Sequence, residues 1–138
     1  HHHAPDPIRP QRVGGNRRIV FCLRGMKTIL GDPHRNFVDF SHVPVVKRLT
    51  RLPVGIDPSH SVGRRAVGPD GILDIAHATA QGVIAGANMV LLDVHPEPSK
   101  ALCDGPQALL LEELPRFLED VAIARRAYEE RCRLVSRS

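Results

Sequence analysis

The sequence predicts an α/β fold built from parallel β/α units. Short apolar runs at residues 19–23, 52–56 and 89–92 have the length and continuity of strands that are buried on both faces. Segments with helical periodicity separate these runs, and a further helical segment follows the last one. An order of strand, helix, strand, helix, strand, helix is typical of a parallel sheet with crossover helices.

Local signals define the first unit. The run at residues 19–23 ends at Arg24 and Gly25, and a polar loop follows. Ser41 is predicted to cap a helix over residues 42–49, because a serine hydroxyl readily accepts a backbone N–H at a helix N-terminus.

The second and third units repeat this order. A helix is predicted over residues 72–85, with Gly86 as its C-cap. The last helix is predicted over residues 111–134. Its expected apolar stripe consists of Leu114, Phe117, Leu118, Val121 and Ala124.

Composition bounds the class of protein. The chain has 138 residues, a formal net charge of +4 and 42% hydrophobic residues, enough to bury a core. Residues 1–18 are expected to be a tag remnant and flexible lead-in, and residues 19–138 one domain. No apolar run reaches the roughly 20 residues of a membrane span, so no membrane partner is expected.

Composition also argues against a nucleic-acid partner, because four Phe, one Tyr and no Trp supply few stacking groups. The three cysteines, Cys22, Cys103 and Cys132, are too widely spaced for a disulfide framework or a CxxC zinc motif. A reducing cytoplasm is the simplest setting. Cys22 is expected to be a small buried hydrophobe.

Ionisable residues follow each predicted strand. Parallel β/α folds place their chemistry at the carboxyl ends of the strands, so these side chains are expected to meet at one rim. They are Arg24 and Lys27 after the first strand, Asp57 and His60 after the second, and Asp93 and His95 after the third, with Asp104 in the following loop. Arginine suits phosphate or carboxylate, and histidine with carboxylates suits Mn, Fe, Co or Zn. The alternative is that these residues close turns and cap helices.

Three stretches resemble motifs of the 3-deoxy-7-phosphoheptulonate (DAHP) synthase family, within the class I DAHP synthetase/KDO-8-phosphate synthase superfamily. Residues 52–65 resemble LPV-x-x-DPSH-x-x-GRR, and residues 93–107 resemble EVHP-x-P-x-KALSDGPQ. Residues 22–28 are similar to C-E-RG-x-RT. The motifs occur in the family's order, between about residues 19 and 121.

The resemblance implies a (β/α)8 barrel, of which this chain would supply about three C-terminal parallel units. A complete barrel typically needs about 250 residues. Three strands cannot close one, and the gap would leave apolar faces exposed. We therefore expect a homo-oligomer, or a second chain that completes the barrel.

The resemblance also implies an activity: metal-assisted condensation of phosphoenolpyruvate with erythrose 4-phosphate, in aromatic (shikimate) or related specialised biosynthesis. His60, Asp93 and Asp104 would bind a divalent metal of the Mn, Co, Zn or Fe type. His60 and Lys27 would be catalytic. The substrate-binding set would comprise Arg24, Lys27, Asp57, Arg64 and Arg65, with Arg24 on the phosphate of phosphoenolpyruvate.

The chain departs from the family motifs at three positions. Asp93 replaces a glutamate that is one methylene longer, Leu23 replaces a glutamate, and Lys27 replaces an arginine. Two alternatives therefore stay open. One is a non-catalytic truncated barrel that acts as a partner subunit or is a remnant, and the other is a related condensing enzyme with a different phosphorylated sugar.

Overall fold

The computed structural model describes residues 16–29, 34–97 and 107–137. Strands and helices alternate along most of this chain, as the periodicity predicts. The elements are β1 (Phe21–Leu23), α1 (His42–Thr50), β2 (Val54–Ile56), α2 (Pro58–Val62), α3 (Asp74–Ile84), β3 (Met89–Val90), β4 (Val94–His95), β5 (Leu109–Leu110), a 3-10 turn (Leu111–Glu113) and α4 (Leu114–Ser136).

The strands pair in parallel, in the order β1-β2-β3. Phe21 is in register with Val54, and Gly55 with Met89. A second parallel pair joins β4 to β5, with Val94 in register with Leu109. The carboxyl ends of β1, β2 and β3 therefore meet at one edge, which confirms the predicted parallel β/α arrangement.

The core lies between this sheet and its helices. β2 is completely buried at the centre, and Ile56 packs with residues such as Val43 and Val62. A second cluster joins α3 to α4 through Ile75 and Phe117. The amino-terminal half of α4 therefore packs its apolar side against α3, and further along α4 Arg131 donates a hydrogen bond to the Ile84 carbonyl at 2.8 Å.

The outer strand differs from the prediction of burial on both faces. Val20 is 46% exposed, and Cys22, expected to be buried, is also exposed. The physical reason is position, because β1 has β2 as its one strand partner within the described residues. An open strand edge is what a portion of a barrel leaves behind.

Three helix predictions need correction. The Ser41 side chain makes no capping hydrogen bond, because Ser41 already has helical dihedral angles. Its backbone N–H instead donates to Asp39 Oδ1 at 2.9 Å. Ile72 precedes the helix that begins at Asp74 and is 38% exposed. Leu118 is 54% exposed, although it was assigned to the apolar stripe of α4.

Within the described ranges, no helix combines the length and the apolar character needed to cross a membrane. Of the proposed lead-in, residues 16–18 are described, and they have no regular secondary structure.

Candidate active site

Four predicted site residues lie side by side across the strand ends, in the order Arg24, Asp57, His60 and Asp93. Arg24 Nε lies 3.1 Å from Asp57 Oδ2. The same carboxylate lies 2.8 Å from His60 Nδ1, and His60 Nε2 lies 3.8 Å from Asp93 Oδ2. The first, second and third strands thus each contribute to one polar cluster. A guanidinium stands at one end of this cluster, and an imidazole with a carboxylate stands at the other.

Asp57 is the buried centre of this cluster. Its side chain is 2% exposed, so it is enclosed by protein rather than presented to a ligand. Its Oδ1 accepts the backbone N–H of His60 at 3.1 Å and so caps the short helix α2. The motif resemblance predicts that Asp57 binds substrate, whereas in the structure its carboxylate contacts Arg24 and His60.

The contact with Asp57 places a proton on one nitrogen of the His60 ring. A carboxylate accepts hydrogen bonds, so Nδ1 carries the proton that it donates to Asp57. In the neutral ring the lone pair is then on Nε2, on the side of Asp93. An imidazole held in this tautomer by a carboxylate is the arrangement that metal-binding histidines use.

Arg24 is held through its backbone and through one side of its guanidinium. Its carbonyl accepts hydrogen bonds from Ser61 Oγ at 2.7 Å and from Asn36 Nδ2 at 3.0 Å. The side chain remains 53% exposed. Because the ion pair with Asp57 uses Nε, no contact recorded among the described residues engages the terminal nitrogens, which are the ones that could bind an anion.

Asp93 is fixed through its backbone and its carboxylate. Its N–H donates to Ser59 Oγ at 3.0 Å, and its carbonyl accepts from the Leu109 N–H at 2.8 Å. Gln107 Nε2 donates to Asp93 Oδ2 at 3.0 Å. Gln107 was not among the predicted site residues, although it ends the third motif, and that place in the motif is the one sequence signal that points to it.

The remaining predicted residues lie in different places. Lys27 is exposed in the loop beyond Arg24, and Arg64 is exposed in the loop after α2. Asp104 lies outside the described residues. Among those that are described, no three histidine, cysteine or acidic side chains converge as a cation site would require. The described part of the site therefore supplies His60 and Asp93 as two candidate ligands.

Arg65 forms an ion pair on the α4 side of the fold. Its NH1 and NH2 donate to the two carboxylate oxygens of Glu113, at 2.7 and 2.8 Å. Glu113 Oε1 also accepts the backbone N–H of Leu110 at 2.9 Å. The pair therefore connects the loop after α2 to the start of the last helix. The Arg65 guanidinium, which the motif resemblance predicts to bind substrate, is engaged by Glu113 instead.

Replacing Glu113 with glutamine is expected to lower the free energy of unfolding by about 1 kcal/mol at pH 7, because solvent partly screens this pair. The hydrogen bonds from Arg65, followed by the one from the Leu110 N–H, hold the pKa of Glu113 below its usual value of 4.5. The contribution of the Arg65–Glu113 pair to the free energy of unfolding is therefore complete above about pH 4.5. It is lost as the pH falls through the pKa that Glu113 has in the folded state, which is lower. Urea unfolding at pH 7 and pH 3 measures this difference.

The matched control is Glu129→Gln, which breaks the exposed Arg125–Glu129 pair of 3.1 Å on α4. Such pairs contribute about 0.3–0.5 kcal/mol. Two outcomes would contradict a stabilising role of the Arg65–Glu113 pair. One is an equal loss of unfolding free energy in the two variants at pH 7, and the other is a loss in Glu113→Gln that is as large at pH 3 as at pH 7.

The parallel sheet, its crossover helices and the polar cluster at the strand ends define a portion of a β/α barrel with a strand-end site. The model of the DAHP synthetase I family matches residues 3–128 of the chain. The chain therefore belongs to the DAHP synthetase I family, as its motifs predicted.

Two curated relatives illustrate the match. The chain is 39% identical over 113 residues to a phospho-2-dehydro-3-deoxyheptonate aldolase of Thermotoga maritima, which covers 80% of the chain and 31% of that protein. It is 33% identical over 127 residues to a 2-dehydro-3-deoxyphosphooctonate aldolase of Desulfosudis oleivorans, which covers 89% of the chain and 44% of that protein.

Solved structures confirm the fold. The crystal structure of the Thermotoga maritima DAHP synthase matches with a TM-score of 0.69 and 35% identity, over 82% of this chain and 31% of that one. A truncated form of the 3-deoxy-D-arabino-heptulosonate 7-phosphate synthase of Thermotoga maritima matches with a TM-score of 0.57 and 34% identity, over 88% and 39%. The chain is thus a partial (β/α)8 barrel. It spans 31–44% of the length of these relatives.

Proposed function

We propose that the chain provides part of the active site of a DAHP-synthase-type enzyme. In this reaction the enol carbon of phosphoenolpyruvate attacks the aldehyde of erythrose 4-phosphate, water adds at C2 of the enolpyruvyl unit, and inorganic phosphate leaves. The observation that carries the proposal is a connection of three contacts: the Arg24–Asp57 ion pair, the hydrogen bond between Asp57 and His60, and the approach of His60 to Asp93. It sets an anion-binding group beside two ligands suited to a divalent cation.

His60 Nε2 and the Asp93 carboxylate are the residues that would hold this cation, with Asp104 as the third ligand implied by the motif. A nitrogen ligand with carboxylate oxygens suits Mn, Fe, Co or Zn. The fit is supported by the His60 ring, whose Nδ1 is already engaged by Asp57 and whose Nε2 lies on the Asp93 side. When bound, such a cation stabilises negative charge that develops on the aldehyde oxygen.

The chain's own residues bind and orient phosphoenolpyruvate. The half-exposed Arg24 guanidinium is a planar donor for phosphate or carboxylate. Its ion pair with Asp57 limits the directions in which the side chain can point. Lys27, three residues further along, adds a positive charge near the same anion and acts as the second catalytic residue of the proposal.

Two observations support the alternatives. The name of the Desulfosudis oleivorans relative contains an octonate, which is an eight-carbon acid. In the proposed condensation three carbons come from phosphoenolpyruvate, so an eight-carbon product requires a five-carbon aldose. A five-carbon aldose phosphate is therefore the second candidate acceptor. The other alternative is a non-catalytic partner subunit or remnant, which is supported by Asp93, because this side chain is one methylene shorter than the glutamate of the motif.

The open side of the sheet supports assembly with a second copy or a second chain. Val20 and Met89, next to or within the two outer strands, are 46% and 40% exposed. Exposed apolar surface of this kind marks interfaces. We propose that such assembly completes the barrel, within the cytoplasm.

Arg24→Met is expected to weaken phosphoenolpyruvate binding by about 10- to 100-fold, since a hydrogen bond to a charged group contributes about 1.5–3 kcal/mol. Calorimetry measures the affinity, and phosphate release with a four- or a five-carbon aldose phosphate measures the reaction. Both are followed over a range of protein concentrations, because assembly is part of the proposal.

The control is Arg48→Met, which removes an exposed arginine from α1. Equal affinity for phosphoenolpyruvate in the parent, Arg24→Met and Arg48→Met proteins would contradict the proposal that Arg24 binds the anion. Phosphate release with one aldose phosphate and not the other identifies the acceptor. Anion binding with no release at any concentration would favour the non-catalytic alternative.

A further inference from the structure

We propose that Gln107 is a positioning residue that fixes the Asp93 carboxylate for a divalent cation beside His60. The inference rests on the proposed function, because it concerns the same site. It adds a residue that neither the motif analysis nor the strand-end rule assigned to the chemistry.

The backbone of Asp93 is immobilised from two sides. Ser59, completely buried in the first turn of α2, accepts the Asp93 N–H at 3.0 Å. The Asp93 carbonyl accepts the Leu109 N–H at 2.8 Å, which joins it to β5. With N–H and C=O both engaged, the remaining freedom of Asp93 is rotation of its side chain.

Gln107 removes that freedom. Its Nε2 donates to Asp93 Oδ2 at 3.0 Å, and the same oxygen lies 3.8 Å from His60 Nε2. A separation of 3.8 Å is too long for a direct hydrogen bond. His60 Nε2 and the Asp93 carboxylate therefore face the same space without a hydrogen bond between them, and Gln107 holds the carboxylate in this position.

The chemistry of an amide suits this role. A lysine or arginine in the place of Gln107 would neutralise Asp93 and repel a cation, whereas the neutral amide orients the carboxylate and leaves its charge. Orientation matters because an aspartate reaches less far than the glutamate of the resembling motif. A hydrogen-bonded partner of a metal ligand typically changes metal affinity by about 10–100-fold.

Gln107→Met is the direct test, because methionine keeps the length of the side chain and lacks the donor. Calorimetry with Co²⁺ alone, using the 138-residue chain, is expected to give affinity about 10-fold weaker than that of the parent. Phosphoenolpyruvate affinity, measured without metal, is expected to stay unchanged. Gln81→Met, at an exposed position of α3, is the matched control and should bind Co²⁺ like the parent.

A double variant separates positioning from a general structural effect. If Gln107 acts through Asp93, Gln107→Met should weaken Co²⁺ binding no further in an Asp93→Asn protein. An additional loss of the same size in that background would overturn the inference. Should Gln107→Met fail to fold, Gln107→Asn gives the same test, because its amide is one methylene too short to reach Asp93.

The outcomes distinguish this inference from the proposed function. If the parent binds Co²⁺, His60→Ala does not, and Gln107→Met binds as tightly as the parent, the role of Gln107 alone is refuted. If the parent and His60→Ala are equally unable to bind Co²⁺, the proposed cation site is refuted and the role of Gln107 falls with it.

Discussion

His60→Ala is expected to reduce metal-dependent phosphate release by about 10³-fold or more, the largest effect of any single substitution in this site. Stabilisation of charge by a bound cation contributes several kcal/mol, and each 1.4 kcal/mol is a factor of ten in rate. The substitution removes the one imidazole that lies between Asp57 and Asp93. Co²⁺ affinity, measured by calorimetry on the same protein, should fall with the rate.

The matched control is His77→Ala. His77 Nε2 lies 2.8 Å from Asp70 Oδ2, so this variant also removes an imidazole paired with an aspartate, at an exposed place on α3. It should keep the parent's rate and Co²⁺ affinity. Loss of activity in both variants would point to general destabilisation, and unchanged Co²⁺ affinity in His60→Ala would remove His60 from the metal site.

Asp57→Asn is expected to weaken Co²⁺ binding by about 10–100-fold while the fold persists. If the asparagine oxygen keeps the bond to the His60 N–H, its NH₂ group faces His60 Nδ1 and Arg24 Nε, which are donors. His60 Nδ1 also lies 3.0 Å from the Oδ1 position, but its contact with the Oδ2 position is the shorter of the two, at 2.8 Å. An NH₂ group at the Oδ2 position therefore favours Nδ1 as an acceptor, which moves the proton of the neutral ring to Nε2, where it covers the lone pair that a cation needs.

Nitrogen NMR of the His60 ring tests this directly, because it reports which nitrogen carries the proton. The parent should show a protonated Nδ1, and Asp57→Asn a protonated Nε2. Asp39→Asn is the control, since Asp39 is exposed and hydrogen-bonds to Ser41 and His42. An unchanged His60 tautomer together with unchanged Co²⁺ affinity in Asp57→Asn would refute the orienting role of Asp57.

The elements that the sequence predicted best are those with strong local signals. The apolar run at residues 52–56 became the buried strand β2, and α1 and α3 follow their periodicity to within two residues. The helix α2 is only five residues long, and β4 pairs with β5 over two residues each. Such short elements depend on tertiary hydrogen bonds, so periodicity does not reveal them.

The candidate site was predictable as a location and less so as a set of contacts. The strand-end rule brought Arg24, His60 and Asp93 to one edge, and the structure places them there. It did not show that Asp57 would be buried between them. Arg65 and Glu113 are 48 residues apart, and Asp93 and Gln107 are 14 apart across a loop. Pairings over such separations are set by the packing of α4 and β5, which no local pattern encodes.

Anomalous diffraction from crystals of the chain grown with Mn²⁺ and phosphoenolpyruvate tests the cation site and the anion site together. We expect a manganese peak bonded to His60 Nε2 and a carboxylate oxygen of Asp93, with an anionic group of phosphoenolpyruvate on the Arg24 guanidinium. A peak bound elsewhere, or none at His60 in crystals that hold the ligand, would contradict this expectation.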